Sequence, residues 1–256
     1  MSVSKPDWRR VAVFMLLATA LSSVARFDIA SLSSQLPTFG TQLAPVLLMA
    51  LLEGVGIALA AWWGSRMLAK QQQLPYSLLG AEPVLALSMV ALTLGLIVGF
   101  GVANPYGVEP RLYGALAAGT TLLYCLMEEL GWRGYLQTEL SALANGSKYA
   151  LIGTAWYLWH LSFLTDASWQ ANLLFWGAMI GGSWGIGQVM RSTQSIMVCA
   201  CFHLCFQIVA FNALFKGGFV LGHVGWFAAI CFSGLVMLVK QWERRQPQLK
   251  AGTERP

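Results

Sequence analysis

Long apolar stretches separated by short polar segments run along the whole chain. The segments Val11–Ala25, Thr41–Gly64 and Val84–Ala103 each contain at most one ionisable residue. A helix needs about 20 consecutive apolar residues to cross a bilayer, so this pattern predicts membrane-spanning helices. With proline, glycine and charged residues taken as boundaries, we predict eight of them. Their predicted limits are 10–26, 42–65, 83–103, 112–136, 148–165, 171–190, 195–213 and 219–240.

The first predicted helix allows a second interpretation. Arg10 and Arg26 leave only about 15 uncharged residues between them, or about 22 Å of helix. Lys5 and the arginines that follow it resemble the basic start of a signal peptide, and Ser23–Ala25 resembles a cleavage site. A cleaved signal peptide is therefore the alternative to a first membrane helix.

The composition supports a membrane protein. Of the 256 residues, 57% are hydrophobic and 11% are charged, whereas a water-soluble domain carries roughly 25% charged residues. The net charge is +5, but the sequence contains no basic stripe with interleaved aromatic residues of the kind that nucleic-acid-binding proteins carry. We therefore predict an all-α polytopic protein of a bacterial-type cytoplasmic membrane, with the lipid bilayer as a partner and no nucleic acid.

The positions of the lysines and arginines predict the orientation, because cytoplasmic loops of membrane proteins are enriched in them. If the N-terminus is cytoplasmic, the outer side receives only Arg26, Arg111 and Lys216, while Arg133 lies near a helix end. The other twelve of the sixteen basic residues fall on the cytoplasmic side. Eight helices with both termini in the cytoplasm follow from this asymmetry.

The connecting loops are short, which predicts one membrane domain over residues 1–245 and a disordered cytoplasmic tail over 246–256. The motifs described below occupy about 112–213 of this domain. Glycine pairs at small-xxx-small spacing, Gly95 with Gly99 and Gly181 with Gly185, predict close helix packing. The five cysteines all lie in apolar segments, which favours free thiols over disulfides.

Ionisable residues inside the predicted helices are the candidates for chemistry, because each costs on the order of 2.5–3.5 kcal/mol in a membrane. Glu128, His160 and His203 lie on the fourth, fifth and seventh helices, about 12, 18 and 12 Å from the predicted cytoplasmic ends at 1.5 Å per residue. This common depth indicates one site. The remaining candidates are Glu53, Glu129 and Arg133, with Gln207 as a neutral companion.

The spacing of these residues suggests their roles. Glu129 and Arg133 are four residues apart on one helix face, which predicts an ion pair and leaves Glu128 free for chemistry. His203 and Gln207 are also four apart, so both can direct donors to one point, as an oxyanion site requires. Because a carboxylate and an imidazole can together activate water, we predict a hydrolase.

Three motifs carry a family resemblance. Glu128-Glu-Leu-Gly-Trp-Arg133, Trp156-Tyr-Leu-Trp-His160 and His203-Leu-Cys-Phe-Gln207 resemble the signature of the CPBP family, which contains CAAX prenyl endoproteases, bacteriocin-processing proteins and Abi proteins. The family pattern is roughly EExxxR, FxxxH and HxxxN, on three helices of an eight-helix core. Trp156 stands here for the usual Phe, which we interpret as a packing change, and Gln207 stands for the usual Asn.

The resemblance implies a glutamic-type intramembrane endopeptidase acting on a membrane-associated protein or peptide. Glu128 and His160 would activate the attacking water, and His203 and Gln207 would hold the oxyanion. Glu129 and Arg133 would be structural or would assist positioning. No cofactor is expected, although Glu128 and the two histidines leave zinc ligation as an alternative.

Two functions of other classes remain open at this level. An ion-coupled transporter also buries carboxylates and histidines, and a non-catalytic scaffold could retain the fold. Glu53 matches no motif and is interpreted as a structural carboxyl group. The substrate is not specified by the sequence, since prenylated CAAX tails, bacteriocin leaders, peptide pheromones and C-terminal sorting tags are all compatible.

Overall fold

The computed structural model describes residues 5–38, 42–67, 76–166, 168–210 and 212–253, with side chains as far as residue 245. In this part of the chain the fold is all-α and contains eight helices of 14 or more residues. They are α1 (Trp8–Arg26), α2 (Leu43–Met67), α3 (Pro83–Phe100), α4 (Pro110–Glu129), α5 (Asn145–His160), α6 (Trp169–Thr193), α7 (Ile196–Val209) and α8 (Val224–Thr253). Each matches one predicted helix.

Four of the described helices, α1, α2, α3 and the Val224–Arg245 part of α8, are long and apolar enough to cross a bilayer. Large apolar side chains on their outer faces are exposed, among them Leu16, Val84 and Trp226. The described part of the chain is thus all-α, with four candidate membrane spans. That α4 to α7 also cross the membrane stays a prediction.

Side chains and prolines at the helix starts explain where several helices begin. Asp7 accepts hydrogen bonds from the backbone N–H groups of Arg9 and Arg10, and the bond from Arg10 lowers the pKa of the Asp7 carboxyl group. Helices α3 and α4 begin with a proline, which is favourable in the first turn because its missing N–H would be unpaired there. Ser195 caps α7 by accepting from Val198 N–H.

The fourth helix does not stop at the motif glutamates. After Glu129 the chain continues as a π-helical segment, Leu130–Leu136, and then as a helical turn, Gln137–Glu139. Single π-helical turns inside α-helices often occur at functional sites. Here the π-helical segment carries Arg133 and Trp132 of the first motif.

Helices α4 and α7 form the centre of the bundle. Helix α4 packs against α2, α3 and α7, and α7 also packs against α3, α6 and α8. Helix α1 lies along α2, and α5 lies along α6. The first and third motifs therefore lie on the two central helices, and the second motif lies on α5.

The two ends of the bundle differ in charge. At one end, Arg10 Nη1 donates to the Met67 carbonyl group at 2.6 Å, joining the start of α1 to the end of α2. We call this the basic end, because it also carries Arg9, Arg66, Arg191, Lys240 and Arg244. At the other end, here called the outer end, Tyr113 Oη donates to the Leu214 carbonyl group at 2.9 Å.

The predicted glycine contacts are wrong. A Cβ atom added at Gly95, Gly99, Gly181 or Gly185 would meet nothing within 4 Å among the described residues, because these positions lie on outward-facing sides of α3 and α6. Close packing occurs instead at Gly56, where an added Cβ would lie 2.6 Å from Ser22 Oγ of α1. Sequence spacing identifies a small-residue face but not the helix that meets it.

The cysteines are free and buried, as predicted. Cys205 and Cys231 lie side by side between α7 and α8, with their sulfur atoms 3.0 Å apart in a thiol hydrogen bond. At the C-terminus, α8 extends well beyond its predicted end, and the backbone of the predicted tail is helical through Thr253. Residues 254–256 lie outside the described part of the chain.

The contact at Gly56 gives a test of the packing of α1 on α2. Replacing Gly56 with alanine forces a methyl group against Ser22, and such overpacking costs about 1–3 kcal/mol. We expect a lower thermal unfolding temperature of the purified protein in detergent. The matched control Gly95→Ala should unfold at the wild-type temperature or above, and equal midpoints for both variants would contradict the packing described here.

Candidate functional site

The predicted site residues lie on three helices, close to the end of two of them and in the middle of the third. Glu128 and Glu129 occupy the last turn of α4, and His160 is the last residue of α5. His203 lies in the middle of α7. Because α4 packs against α7 and its π-helical continuation contacts α5, the structure brings the three motifs together.

Glu128 is completely buried and is held by two tryptophans. Its Oε2 accepts hydrogen bonds from Trp132 Nε1 at 3.0 Å and from Trp156 Nε1 at 2.7 Å. Its Oε1 has no hydrogen bond of normal geometry among the described residues, although Tyr124 is close enough to interact with the carboxylate. One oxygen is therefore fixed by donors, and the other is available to a proton.

Glu129 joins α4 to α7. Its Oε1 accepts from Arg133 Nη1 at 3.1 Å and from His203 Nδ1 at 2.9 Å, and all three side chains are buried. The ion pair with Arg133 was predicted from the spacing and is present. The bond to His203 was not predicted, since a contact across 74 residues leaves no signal in local spacing.

His203 and Gln207 bond to each other in this structure. Gln207 Nε2 lies 3.2 Å from His203 Nε2, and Asn212 Nδ2 donates to Gln207 Oε1 at 3.2 Å. With Nδ1 donating to Glu129, a neutral His203 accepts the Gln207 amide at Nε2. Two parallel donors to one oxyanion therefore require a proton on Nε2 of His203 and a Gln207 amide that no longer points at this nitrogen.

Trp156 does more than fill space. Besides its bond to Glu128, its ring stands edge-on to His203 with centroids 4.9 Å apart and lies under Arg133, whose Cζ is 4.6 Å from the ring centroid. Its carbonyl oxygen lies 2.8 Å from His160 Nδ1. A phenylalanine has no N–H group, so the interpretation of Trp156 as a packing change is incomplete.

His160 is oriented by its own helix and by aromatic neighbours. Its ring packs edge-on against Trp159 and Phe175, each with centroids 5.1 Å apart. The side chain is only partly buried. Glu128 lies within electrostatic range of both His160 and His203, so the carboxylate and the two imidazoles share one site.

Glu53 has a partner that the sequence did not reveal. Arg26 donates to Glu53 Oε1 from Nε at 2.9 Å and from Nη2 at 2.6 Å. The same guanidinium group also bonds to the Trp159 carbonyl group and lies over the Trp159 ring, 4.2 Å from its centroid. A basic residue ending one predicted helix and an acidic residue inside the next are the signal that could have found this pair.

The zinc alternative gains no support from this geometry. Among the described residues, no group of three or more His, Cys, Asp or Glu side chains is arranged to hold a metal ion. Oε2 of Glu128 is already occupied by two N–H donors, and Nδ1 of His203 is occupied by Glu129.

The segment that carries the three motifs is similar to a known protein family. Residues 110–209 match the family model described as Rce1-like, type II CAAX prenyl endopeptidase Rce1-like. The matched segment spans α4 to α7 and includes all six predicted site residues. The resemblance of this segment to the CPBP and CAAX protease family is confirmed, and this is a family of membrane proteases. Neither the curated proteins nor the solved structures that were searched gave a match.

The buried group formed by Glu129, Arg133 and His203 predicts an unequal effect of single and double substitutions. Arg133→Met leaves Glu129 as a buried carboxylate without its cation, and breaking such a pair costs roughly 3–5 kcal/mol. We expect Arg133→Met to unfold at clearly lower temperature than wild type. The double variant Glu129→Gln with Arg133→Met should recover part of that loss. A double variant less stable than Arg133→Met would show that the charge imbalance is not the cause.

Proposed function

We propose that this chain, whose residues 110–209 match the Rce1-like family, is a glutamic-type intramembrane endopeptidase. It hydrolyses a peptide bond of a membrane-associated protein or peptide. The observation that carries the proposal is the environment of Glu128, a fully buried carboxylate with one oxygen held by two indole N–H groups and the other beside Tyr124, without a hydrogen bond of normal geometry among the described residues. A buried carboxylate with a free oxygen beside an imidazole is suited to general-base catalysis.

In the proposed reaction, Glu128 Oε1 and His160 bind one water molecule. As the water oxygen attacks the carbonyl carbon of the scissile bond, its proton passes to this pair and a tetrahedral oxyanion forms. The pair then returns the proton to the nitrogen of the leaving amine while the carbon–nitrogen bond breaks. The products are one carboxylic acid and one amine, and Glu128 regains its carboxylate.

His203 and Gln207 are proposed to stabilise the oxyanion. His203 is held by Glu129 through Nδ1, so its Nε2 is the ring nitrogen that faces Gln207. The Gln207 amide lies beside that nitrogen. With a proton on Nε2 and the Gln207 amide turned from this nitrogen towards the substrate, the two side chains would present two donors to the oxyanion.

The topology supports a bacterial-type cytoplasmic membrane as the location. The arginines and lysines at the basic end lie on the helix ends that the positive-inside rule places in the cytoplasm. We propose that all eight helices cross the membrane and that both termini are cytoplasmic. Helices α4, α5 and α7 are then the spans that carry catalysis.

Substitution of the proposed base tests the function directly. We expect Glu128→Gln and His160→Ala each to lower kcat at least about 100-fold, since general-base groups contribute roughly 10²–10⁴. The substrate can be found by mass spectrometry of new termini in the membrane peptidome, comparing cells that carry wild type with cells that carry Glu128→Gln. Cleavage is then measured with the purified protein in proteoliposomes.

The control for that experiment is His223→Ala, a histidine in the exposed segment before α8, which should cleave at the wild-type rate. Full cleavage by both site variants would exclude the proposed chemistry. An ion flux lost in the same variants would support a transporter, and peptide binding without cleavage by wild type would support a scaffold.

The hydrogen bond from Trp156 to Glu128 gives a finer test. Trp156→Phe keeps an aromatic ring but removes one donor to a carboxylate, and such bonds are worth about 1.5–3 kcal/mol. We expect kcat to fall about tenfold or more while KM stays near the wild-type value. Trp176→Phe is the matched control, because Trp176 Nε1 donates to Thr154 Oγ1 at 3.0 Å, away from the site. Equal kcat for the two variants would show that the indole N–H does not position Glu128.

A further inference from the structure

A cavity of about 330 Å³ is lined by Tyr124 and Asn212, which contact Glu128 and Gln207 of the candidate site. Its polar lining consists of Arg26, Glu53, Tyr124, Thr121 and Asn212, and its apolar lining includes Val46, Met49 and Ala50. We propose that this outer cavity is the substrate subsite, and that it admits a peptide segment from the outer end of the bundle. The proposal rests on the proposed endopeptidase function and adds the side of the membrane from which the substrate comes.

The lining residues place the cavity towards the outer end. Arg26 is the last residue of α1, and Val46 lies in the first turn of α2. Asn212 and the two residues after it follow the end of α7. These helix ends all lie at the outer end, where Tyr113 contacts Leu214. None of the exposed arginines and lysines that define the basic end lines this cavity.

Three residues that line the cavity contact the helices that carry the candidate site. Tyr124 lies one turn before Glu128 on α4 and interacts with both Glu128 and Glu53. Asn212 donates to Gln207, which follows His203 on α7. Arg26 bonds to the carbonyl group of Trp159, the residue before His160 on α5. A molecule in the cavity is therefore separated from the proposed catalytic groups by only one layer of residues.

The site is closed towards the basic end. Every residue from Gly131 to Leu140 is buried, so the continuation of α4 forms a packed layer between Glu128 and that end. Phe14 of α1 packs against Trp132 and Tyr135 of this layer, with ring centroids 5.8 and 4.8 Å away. A peptide coming from the basic end would have to separate α1 from this layer.

Towards the outer end the same site is partly open. His160 and Gln207 are only partly buried, whereas Glu128, Glu129 and His203 are enclosed. The two partly open residues lie closest to the outer ends of their helices, because α5 ends at His160 and α7 ends two residues after Gln207. Exposure within the site therefore increases in the direction of the outer cavity.

The lining fits a short, extended polypeptide segment. Arg26 engages Glu53 through Oε1, and the Glu53 side chain remains 23% exposed, so this carboxylate can accept a main-chain N–H group. Val46 and Met49 offer apolar contacts for substrate side chains. The volume lies at the lower end of the roughly 300–1,000 Å³ of ligand cavities, which suits a few residues beside the scissile bond. The substrate class is therefore a polypeptide whose cleaved segment lies on the non-cytoplasmic side of the membrane.

Cysteine labelling tests where the cavity opens. All five native cysteines are buried, so they give little background with a membrane-impermeant maleimide. We expect Ala50→Cys to be labelled in right-side-out membrane vesicles and at least about tenfold more slowly in inside-out vesicles. The control Gly146→Cys, at the basic start of α5 where an added Cβ meets nothing within 4 Å, should show the opposite preference. Labelling of Ala50→Cys from the same side as Gly146→Cys, or from neither side, would overturn the proposal.

Steric blocking tests whether the cavity holds substrate. We expect Ala50→Trp to raise KM for the identified peptide about tenfold with little change in kcat, the signature of lost binding common to ground and transition states. Leu59→Trp, on the exposed face of α2, should leave both constants unchanged. An unchanged KM in Ala50→Trp would refute the subsite while leaving hydrolysis by Glu128 intact. Absence of any cleavage by wild type would instead refute the proposed function, and the labelling result would still report the opening.

Discussion

The buried carboxylate of Glu129 is the interaction on which the rest of the site depends. One oxygen accepts from Arg133, four residues further along in the π-helical segment, and from His203 on α7. A charge so deeply enclosed is stable only when its partners are in place. This requirement fixes the distance between α4 and α7 and the orientation of the His203 ring. Glu128, the next residue back, then faces the tryptophans and His160 rather than the same cluster.

Tryptophan side chains add further hydrogen bonds and ring contacts to those of the charged groups. Trp132 and Trp156 come from different helical segments and donate to the same oxygen of Glu128. The orientation of the carboxylate therefore depends on the positions of both segments. Trp156 also touches His203, Arg133 and, through its carbonyl group, His160. One side chain therefore links the acidic, basic and imidazole groups, and a variation from the family pattern at this position changes hydrogen bonding as well as volume.

Sequence reasoning found the helices and the motif residues because both depend on local patterns. Apolar runs of sufficient length placed all eight helices, and spacing of four residues predicted the Glu129–Arg133 pair. Contacts between distant segments were not accessible in this way. The bond from His203 to Glu129, the pairing of Arg26 with Glu53 and the packing of Gly56 on Ser22 all depend on which helices become neighbours. The packing of Gly95, Gly99, Gly181 and Gly185 was predicted wrongly for the same reason.

The π-helical segment Leu130–Leu136 determines which way the residues after it face. A π-helical turn holds one residue more than an α-helical turn, and each residue of an α-helix turns the chain by about 100°. If the same residues formed a regular α-helix instead, the turn that follows would be rotated by about 100°, which would move Glu139 away from the Asp7 N–H group, from which it accepts at 2.8 Å. The π-helical winding of this segment therefore sets the direction of the Glu139 side chain, and with it the contact between the end of this helix and the start of α1.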